Sequence, residues 1–192
     1  METYQHVFQP ELQELKEGFE MKGNWKNEFF KNDNPLVLEL GCGKGEYSVG
    51  LAKKYPNKNF LGIDIKGSRM WTGATQAKVE SLTNVGFLRL RIEFIELAFS
   101  KGEVDEIWIT FPDPQLKKRR AQKRLTHPLF LNRYNYLLQK EGVIHLKTDS
   151  QFLHGYTLGI VHAEGHILED AEHDLYNAKL QREHMEIRTH YE

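Results

Sequence analysis

Apolar and polar residues alternate in short blocks along most of this chain. Five apolar runs have the length and composition of buried strands, at residues 36–40, 60–65, 85–90, 106–111 and 143–146. Between them lie amphipathic stretches with helical spacing, at residues 46–54, 68–82, 128–138 and 151–163, and a shorter turn near 94–99. Strands that alternate with helices predict one parallel sheet with helices on both faces, which is a doubly wound, Rossmann-like α/β fold.

The first 34 residues have a different pattern. Leucine and phenylalanine recur at helical spacing between Leu12 and Phe19, and an aromatic group follows between Trp25 and Phe30. This spacing predicts two short amphipathic helices. We therefore expect an N-terminal helical extension over residues 1–34 and a single domain over residues 35–192.

The composition is that of one globular domain, with 192 residues of which 40% are hydrophobic and 28% charged. The formal net charge of −1 means that contact with a polyanion would need locally concentrated basic residues. The single cysteine and the polar N-terminus predict a cytoplasmic protein without membrane contact. The nine histidines show no spacing typical of metal ligands, so we expect no metal. The sequence indicates no obligatory protein partner and leaves the oligomeric state open.

The strand at residues 36–40 runs directly into a glycine-rich loop that contains Gly41, Gly43 and Gly45. Glycines between a strand and a helix let the backbone approach a ligand at the helix N-terminus. The next predicted strand contains Asp64, whose carboxylate can accept hydrogen bonds from two ribose hydroxyls. The loop and the aspartate together predict a nucleoside-containing cofactor.

An acid before the loop narrows the identity of this cofactor. Nicotinamide and flavin sites usually have the pattern G-x-G-x-x-G, whereas here the third glycine comes one residue early and Glu39 precedes the loop. Glu39 could attract an ammonium group, such as that of a methionine moiety, directly or through water. The pattern E-x-G-x-G-x-G followed by Asp64 resembles class I methyltransferases that use S-adenosylmethionine. A dinucleotide oxidoreductase is the alternative.

A proline-rich loop and a basic segment follow the fourth predicted strand. Two prolines flank Asp113 and hold it at the carboxyl edge of the sheet, where ligands usually bind. Six of the eight residues from Lys117 to Arg124 are basic. We interpret this segment, and Lys117, Arg119 and Arg120 in particular, as a contact for phosphates, with RNA as the expected polyanion.

Four motifs make a more specific comparison possible: F-P-D-P at 111–114 with the basic residues after it, F-L-x-x-Y at 130–134, G-x-x-H-L-K-T-D at 142–149 and T-x-Y-E at 189–192. Together they resemble the bacterial tRNA (guanine-N7-)-methyltransferase family from about residue 36 onward. The resemblance implies methyl transfer from S-adenosylmethionine to N7 of a guanine in the tRNA variable loop. It also implies a tRNA-binding loop over residues 111–126.

The family motifs assign roles to individual residues. Glu39 and Asp64 would hold the cofactor, Asp113 would be the catalytic residue beside both cofactor and guanine, and the substrate contacts would be Lys117, Asp149, Thr189 and Glu192. Two positions depart from the family pattern. Arg91 stands where an acid usually accepts the adenine amino group, so Glu93 or a backbone carbonyl would have to do so. Gln115 and Leu116 replace the usual tryptophan and proline of the loop.

The chemistry of N7 methylation suits this set of residues. Guanine N7 has a lone pair in the ring plane and no proton to lose, so its reaction needs neither a thiolate nor a strong base. The protein must align the reacting atoms and stabilise the positive charge that spreads onto the purine. We expect Asp113 or Asp149 to accept hydrogen bonds from N1 and N2 of the guanine.

Members of the family usually continue past the T-x-Y-E motif into a final antiparallel strand, so we expect these 192 residues to lack that strand. Two further functions compete with the main hypothesis. Arg91 would suit a noncatalytic tRNA-binding protein that retains the methyltransferase fold. An adenine-N6 methyltransferase typically has N-P-P followed by an aromatic residue at this strand end, and Phe111 to Pro114 do not fit that pattern.

Overall fold

Six parallel strands form one sheet in the computed structural model, which describes residues 4–173. The strands are β1 (Val7–Phe8), β2 (Leu36–Leu40), β3 (Asn59–Asp64), β4 (Val85–Arg89), β5 (Val104–Thr110) and β6 (Leu138–Lys147). Their order across the sheet is β1-β4-β3-β2-β5-β6. The order reverses between β2 and β5, and at such a point the loops at the carboxyl ends of the strands leave a crevice for a ligand.

Helices connect the strands, as the alternating pattern predicts. They are α1 (Leu12–Gly18), α2 (Glu46–Lys54), α3 (Gly67–Val79), α4 (Ile95–Ala98), α5 (Pro128–Leu137) and α6 (Gln151–Ala163), with 3₁₀ turns at Ile92–Phe94 and Lys118–Lys123. The bounds of β2, α2 and α6 agree with the prediction to the residue. Strand β6 begins five residues earlier than predicted, and its register with β5 shifts between Val104 and Glu106.

The two faces of the sheet bury separate apolar clusters. Along β2, Leu36, Leu38 and Leu40 belong to one cluster, which also contains buried residues of α1, α4 and α5. Val37 belongs to the other cluster, which α2 and α3 cover. Alternate residues of a strand point to opposite faces, so this single strand contributes to both layers of the core. The predicted doubly wound α/β fold is confirmed.

The N-terminal segment packs against the same sheet. Strand β1, which the sequence analysis did not predict, pairs in parallel with β4 and forms one edge of the sheet. The second predicted helix is a π-helix, Trp25–Phe30. The Trp25 side chain is fully buried, stacks on Phe99 at 5.5 Å between ring centroids and donates a hydrogen bond from Nε1 to the carbonyl oxygen of Ala98. Trp25 therefore anchors this segment to the helical layer around α4.

Across residues 4–173, the helices are too short or too polar to span a membrane.

Candidate active site at the carboxyl edge of the sheet

The glycine-rich loop after β2 has backbone torsions that favour glycine. Gly41, Gly43 and Gly45 have φ values of +79°, +54° and +76°, a region that side chains with a Cβ rarely occupy. The amides of Gly41 and Cys42 both donate to the carbonyl oxygen of Ile63, at 2.8 and 3.0 Å, which holds the loop against the end of β3. A Cβ at Gly43 would meet nothing within 4 Å. The loop thus leaves open space above its backbone for a ligand.

Gly45 caps α2 and has a different environment. A Cβ there would approach Phe87 to 2.5 Å and the Cα of Gly73 in α3 to 3.3 Å. The loop and α3 can therefore pack this closely only because both positions are glycine. Gly45 serves packing, whereas Gly43 leaves room for a ligand.

Asp64 lies beside the glycine-rich loop, as predicted. Its Oδ2 accepts a hydrogen bond from the Gly43 amide at 3.0 Å, and its Oδ1 accepts one from the Lys66 amide at 2.8 Å. These bonds orient the carboxylate, and each oxygen keeps a second lone pair for another donor. The fold therefore places an oriented acceptor where a ribose diol can bind.

Glu39 is almost completely buried and joins three elements. Its side chain accepts hydrogen bonds from the Ser48 amide at 2.8 Å, from the Ser48 hydroxyl and from the Thr110 hydroxyl at 2.6 Å. Burial raises the pKa of Glu39 to about 7, against the lowering effect of these hydrogen bonds. Ser48 and Thr110 were not predicted as site residues. A carboxylate in this low-dielectric position is suited to attract a cation at the carboxyl edge.

A cavity of about 250 Å³ lies next to Asp64. Its lining includes Gly41, Asp64, Arg91, Glu93 and Lys123. Arg91 forms an ion pair with Glu93 at 3.2 Å. Burial alone would raise the pKa of Glu93, but hydrogen bonds from its own backbone amide and from Arg91, together with nearby positive charge, hold that pKa below its ordinary value. Glu93 is therefore an ionised acceptor in the cavity where an adenine amino group would need one.

The loop after β5 is strained and carries Asp113 at the surface. Phe111 and Gln115, on either side of Asp113, both have a φ of +46°, which is unusual for residues other than glycine. The Asp113 side chain is exposed, and its Oδ1 accepts a hydrogen bond from the Gln115 amide at 2.9 Å. The Phe111 amide donates to the carbonyl oxygen of Lys147 at 2.8 Å, which ties the loop to the end of β6.

Asp149 follows β6 in the same region. Thr110 and Lys147 are register partners at the ends of β5 and β6, so Asp113 and Asp149 extend from adjacent strand ends. The Asp149 side chain is exposed, and Ser150 after it caps α6 by accepting a hydrogen bond from the Leu153 amide at 3.2 Å. The fold thus brings both predicted substrate-binding carboxylates to one edge.

The basic segment divides into exposed and buried residues. Lys117, Arg119 and Arg120 are exposed and form no ion pair with an acid in residues 4–173. Arg124 is only 5% exposed and binds protein groups instead. The interpretation of all six basic residues as phosphate contacts is therefore wrong for Arg124, because its guanidinium group is not available at the surface.

Two predicted substrate contacts, Thr189 and Glu192, lie outside the described residues. No cluster of three or more metal-ligating side chains occurs within residues 4–173.

Two solved structures with a similar fold are methyltransferases. A 30S ribosomal A1408 methyltransferase from an uncultured bacterium has a TM-score of 0.54 and 20% identity, over 80% of this chain and 68% of that one. An antibiotic-related methyltransferase has a TM-score of 0.52 and 20% identity, over 70% of this chain and 71% of that one. At this level of identity, the likeness shows the class I methyltransferase fold alone.

The sequence comparisons are more specific. Residues 33–192 match a family model described as "Putative methyltransferase". The tRNA (guanine-N7-)-methyltransferase of Christiangramia forsetii is 56% identical over the whole of this chain and 86% of its own length. The enzyme of the same name from Porphyromonas gingivalis is 52% identical over the whole chain and 80% of its own length. The glycine-rich loop, Asp64 and Asp113 lie at one edge of a doubly wound sheet, as the sequence predicts. From the identity to these relatives, the chain belongs to the bacterial tRNA (guanine-N7-)-methyltransferase family.

Proposed function

We propose that this protein transfers a methyl group from S-adenosylmethionine to N7 of a guanine in the variable loop of tRNA. The observation that carries the proposal is the arrangement of the carboxyl edge. Two loops follow the neighbouring strands β2 and β5. The first is the open glycine-rich loop, and the second carries exposed Asp113 and the exposed cations Lys117, Arg119 and Arg120. This arrangement supports adjacent sites for cofactor, base and phosphates on one side of the domain.

Several side chains and the glycine-rich loop would hold the cofactor. Asp64 would accept the ribose hydroxyls, Glu93 the adenine amino group, and Glu39 would attract the methionine ammonium directly or through water. Gly41 and Gly43 would let the backbone pass close to the ligand, and Gly45 allows the loop to pack against α3. Bound S-adenosylmethionine supplies an electrophilic methyl group on a sulfonium. Arg91 does not argue against a cofactor site, since its ion pair orients Glu93 beside the cavity.

The acidic residues would recognise and stabilise the base. Asp113 or Asp149 would accept hydrogen bonds from N1 and N2 of guanine, which identifies the base and favours the positive charge that develops on the purine. Asp113 is the proposed catalytic residue because the family motif assigns it to cofactor and guanine, and because its loop follows β5, the strand that pairs with β2 before the glycine-rich loop. Thr189 and Glu192 remain proposed substrate contacts.

The test is incubation with labelled S-adenosylmethionine and unmodified tRNA, followed by nucleoside analysis. Wild-type protein should form N7-methylguanosine, and Asp113→Ala should abolish methyl transfer while it leaves tRNA binding largely intact. Asp33→Ala is a matched control, since Asp33 is an exposed aspartate just before β2, at the opposite edge of the sheet. Normal turnover of Asp113→Ala, or a methylated product other than N7-methylguanosine, would contradict the proposal.

We also propose tRNA as the binding partner of this protein. Its cytoplasmic location remains a prediction from the sequence.

A further inference from the structure

Arg124 ends the basic segment but does not belong to its charged surface. Its neighbours Lys117 to Arg120 and Lys123 are exposed, whereas only 5% of Arg124 is accessible to solvent. A buried guanidinium group needs hydrogen-bond acceptors or aromatic faces to replace water. The contacts of Arg124 therefore show what this residue holds together.

The first set of contacts is to the loop that carries Asp113. Nε of Arg124 donates to the carbonyl oxygen of Pro114 at 3.2 Å, and Nη2 donates to the carbonyl oxygen of Gln115 at 3.0 Å. These are the two residues directly after Asp113 in the chain. The planar guanidinium group thus binds two consecutive carbonyl groups at once, which the single ammonium of a lysine cannot reproduce with the same geometry.

The second set of contacts is to α6. The guanidinium carbon of Arg124 lies 4.8 Å from the ring centroid of Phe152 and 4.4 Å from that of Tyr156. The two rings are nearly parallel, with 13° between their planes. A hydrogen bond between the hydroxyls of Thr126 and Thr157 at 2.8 Å joins the same two regions. Arg124 therefore connects the loop that carries Asp113 to α6, the helix that begins two residues after Asp149.

The loop that carries Asp113 has a strained backbone, which contacts from outside the loop must stabilise. Gln115 has a φ of +46°, and its side-chain Oε1 is buried without a hydrogen-bond partner among residues 4–173. Strained backbone of this kind persists only where surrounding contacts fix it. The carbonyl group of Gln115 is one of the two that Arg124 binds, so Arg124 stabilises the strained residue directly.

We propose that Arg124 is a positioning residue that fixes Asp113 relative to Asp149. Its guanidinium group binds the carbonyl oxygens of Pro114 and Gln115 and packs against the aromatic rings of Phe152 and Tyr156 in α6. The proposal rests on the proposed function, because it concerns the placement of the carboxylates in that reaction. Arg124 acts through the loop and contacts neither phosphate nor cofactor. Its loss should therefore lower kcat and leave the binding of tRNA and cofactor nearly unchanged.

The experiment compares Arg124→Ala and Arg124→Lys with Arg119→Ala. Both Arg124 variants should lose about 10- to 100-fold in kcat, the cost expected when a reacting group is displaced by about 1 Å. The salt slope of their tRNA binding should equal that of wild type. Arg119→Ala should reduce that slope instead, because it removes an exposed phosphate contact. Methylguanidinium added to Arg124→Ala should restore part of kcat, whereas sodium chloride at equal ionic strength should not.

The outcomes separate this inference from the proposed function. If wild-type protein forms no N7-methylguanosine, the proposed function fails whatever Arg124 does. If wild type is active, normal kcat in both Arg124 variants overturns the positioning role, and so does a reduced salt slope. Thermal unfolding checks that each variant is folded. If Arg124→Ala does not fold, Arg124→Lys decides: a reduced kcat at unchanged Tm supports the proposal, and a wild-type kcat refutes it.

Discussion

Replacing Glu39 by glutamine should stabilise the cofactor-free protein and at the same time impair cofactor binding. Glutamine keeps the size of the side chain, and its Oε1 can accept from the Ser48 amide and hydroxyl while its amide donates to the Thr110 hydroxyl oxygen. The substitution therefore removes the charge and preserves the three connections. Its effect on stability measures the cost of holding an ionised carboxylate at this buried position.

The magnitude follows from the pKa of Glu39, which burial raises from 4.5 to about 7. The folded protein then binds more protons than the unfolded chain between these values, so wild-type stability falls as the pH rises through this window and is constant above it. Such a shift corresponds to a cost of about 3 kcal/mol at pH 8. We expect Glu39→Gln to recover up to about 3 kcal/mol at pH 8 and almost nothing near pH 4.

Urea unfolding of the cofactor-free proteins at several pH values measures this effect, and calorimetry with S-adenosylhomocysteine measures the loss of affinity. Glu106→Gln is a matched control, for which the expected change in the free energy of unfolding has the opposite sign. Burial alone would raise the pKa of Glu106, but hydrogen bonds and charge from His145 and Lys58 lower it from 4.5 to about 2. Ionised Glu106 thus contributes stability above pH 4.5 that is lost as the pH falls toward 2, and its substitution should destabilise the protein at pH 7. An equal stability difference for Glu39→Gln at pH 4 and pH 8 would refute the reasoning.

Two further predictions concern the edge of the sheet. Neutralising Lys117, Arg119 and Arg120 together should lower the salt slope of tRNA binding by about 2 to 3, as measured by titrations between low and moderate salt; an unchanged slope would show that these residues do not contact phosphates. Gly45→Ala should lower the free energy of unfolding in urea by about 2 to 4 kcal/mol, because the alanine would have to adopt a positive φ and its Cβ would meet Phe87 at 2.5 Å. Gly43→Ala, with open space around its Cβ, should cost less stability but weaken cofactor binding.

Local patterns were enough to predict most of the sheet and failed where long-range pairing decides the structure. Residues 36–40 are apolar except for Glu39 and lie in the centre of the sheet, so their sequence alone indicates a buried strand. The first half of β6 contains the polar residues Gln139, Lys140 and Glu141, which give no strand signal, and its pairing begins with Leu138 opposite Val104. Strand β1 has only two residues and forms only by pairing with β4, which is distant in sequence.

The same distinction applies to the site. The glycines and Asp64 were predictable because their roles depend on backbone torsion and on position at a strand end, both of which leave a mark in the sequence. The partners of Glu39 were not, since Ser48 and Thr110 are 9 and 71 residues away and are ordinary polar residues by themselves. Only the convergence of β2, α2 and β5 makes them part of one buried network.

The basic segment shows why a count of charges does not determine an interface. In the sequence, the six cations between Lys117 and Arg124 form one basic segment. In the fold, Lys117 to Arg120 face solvent, Lys123 lines the cavity that contains Glu93, and Arg124 turns inward to the loop after Asp113. The segment forms a 3₁₀ turn, Lys118–Lys123. Its side chains therefore point in different directions, toward solvent, toward the cavity beside Asp64 and toward the protein interior. The proposed electrostatic contact with tRNA therefore involves fewer cations than the charge count indicates, because Arg124 is buried and Lys123 lines the cavity beside Asp64.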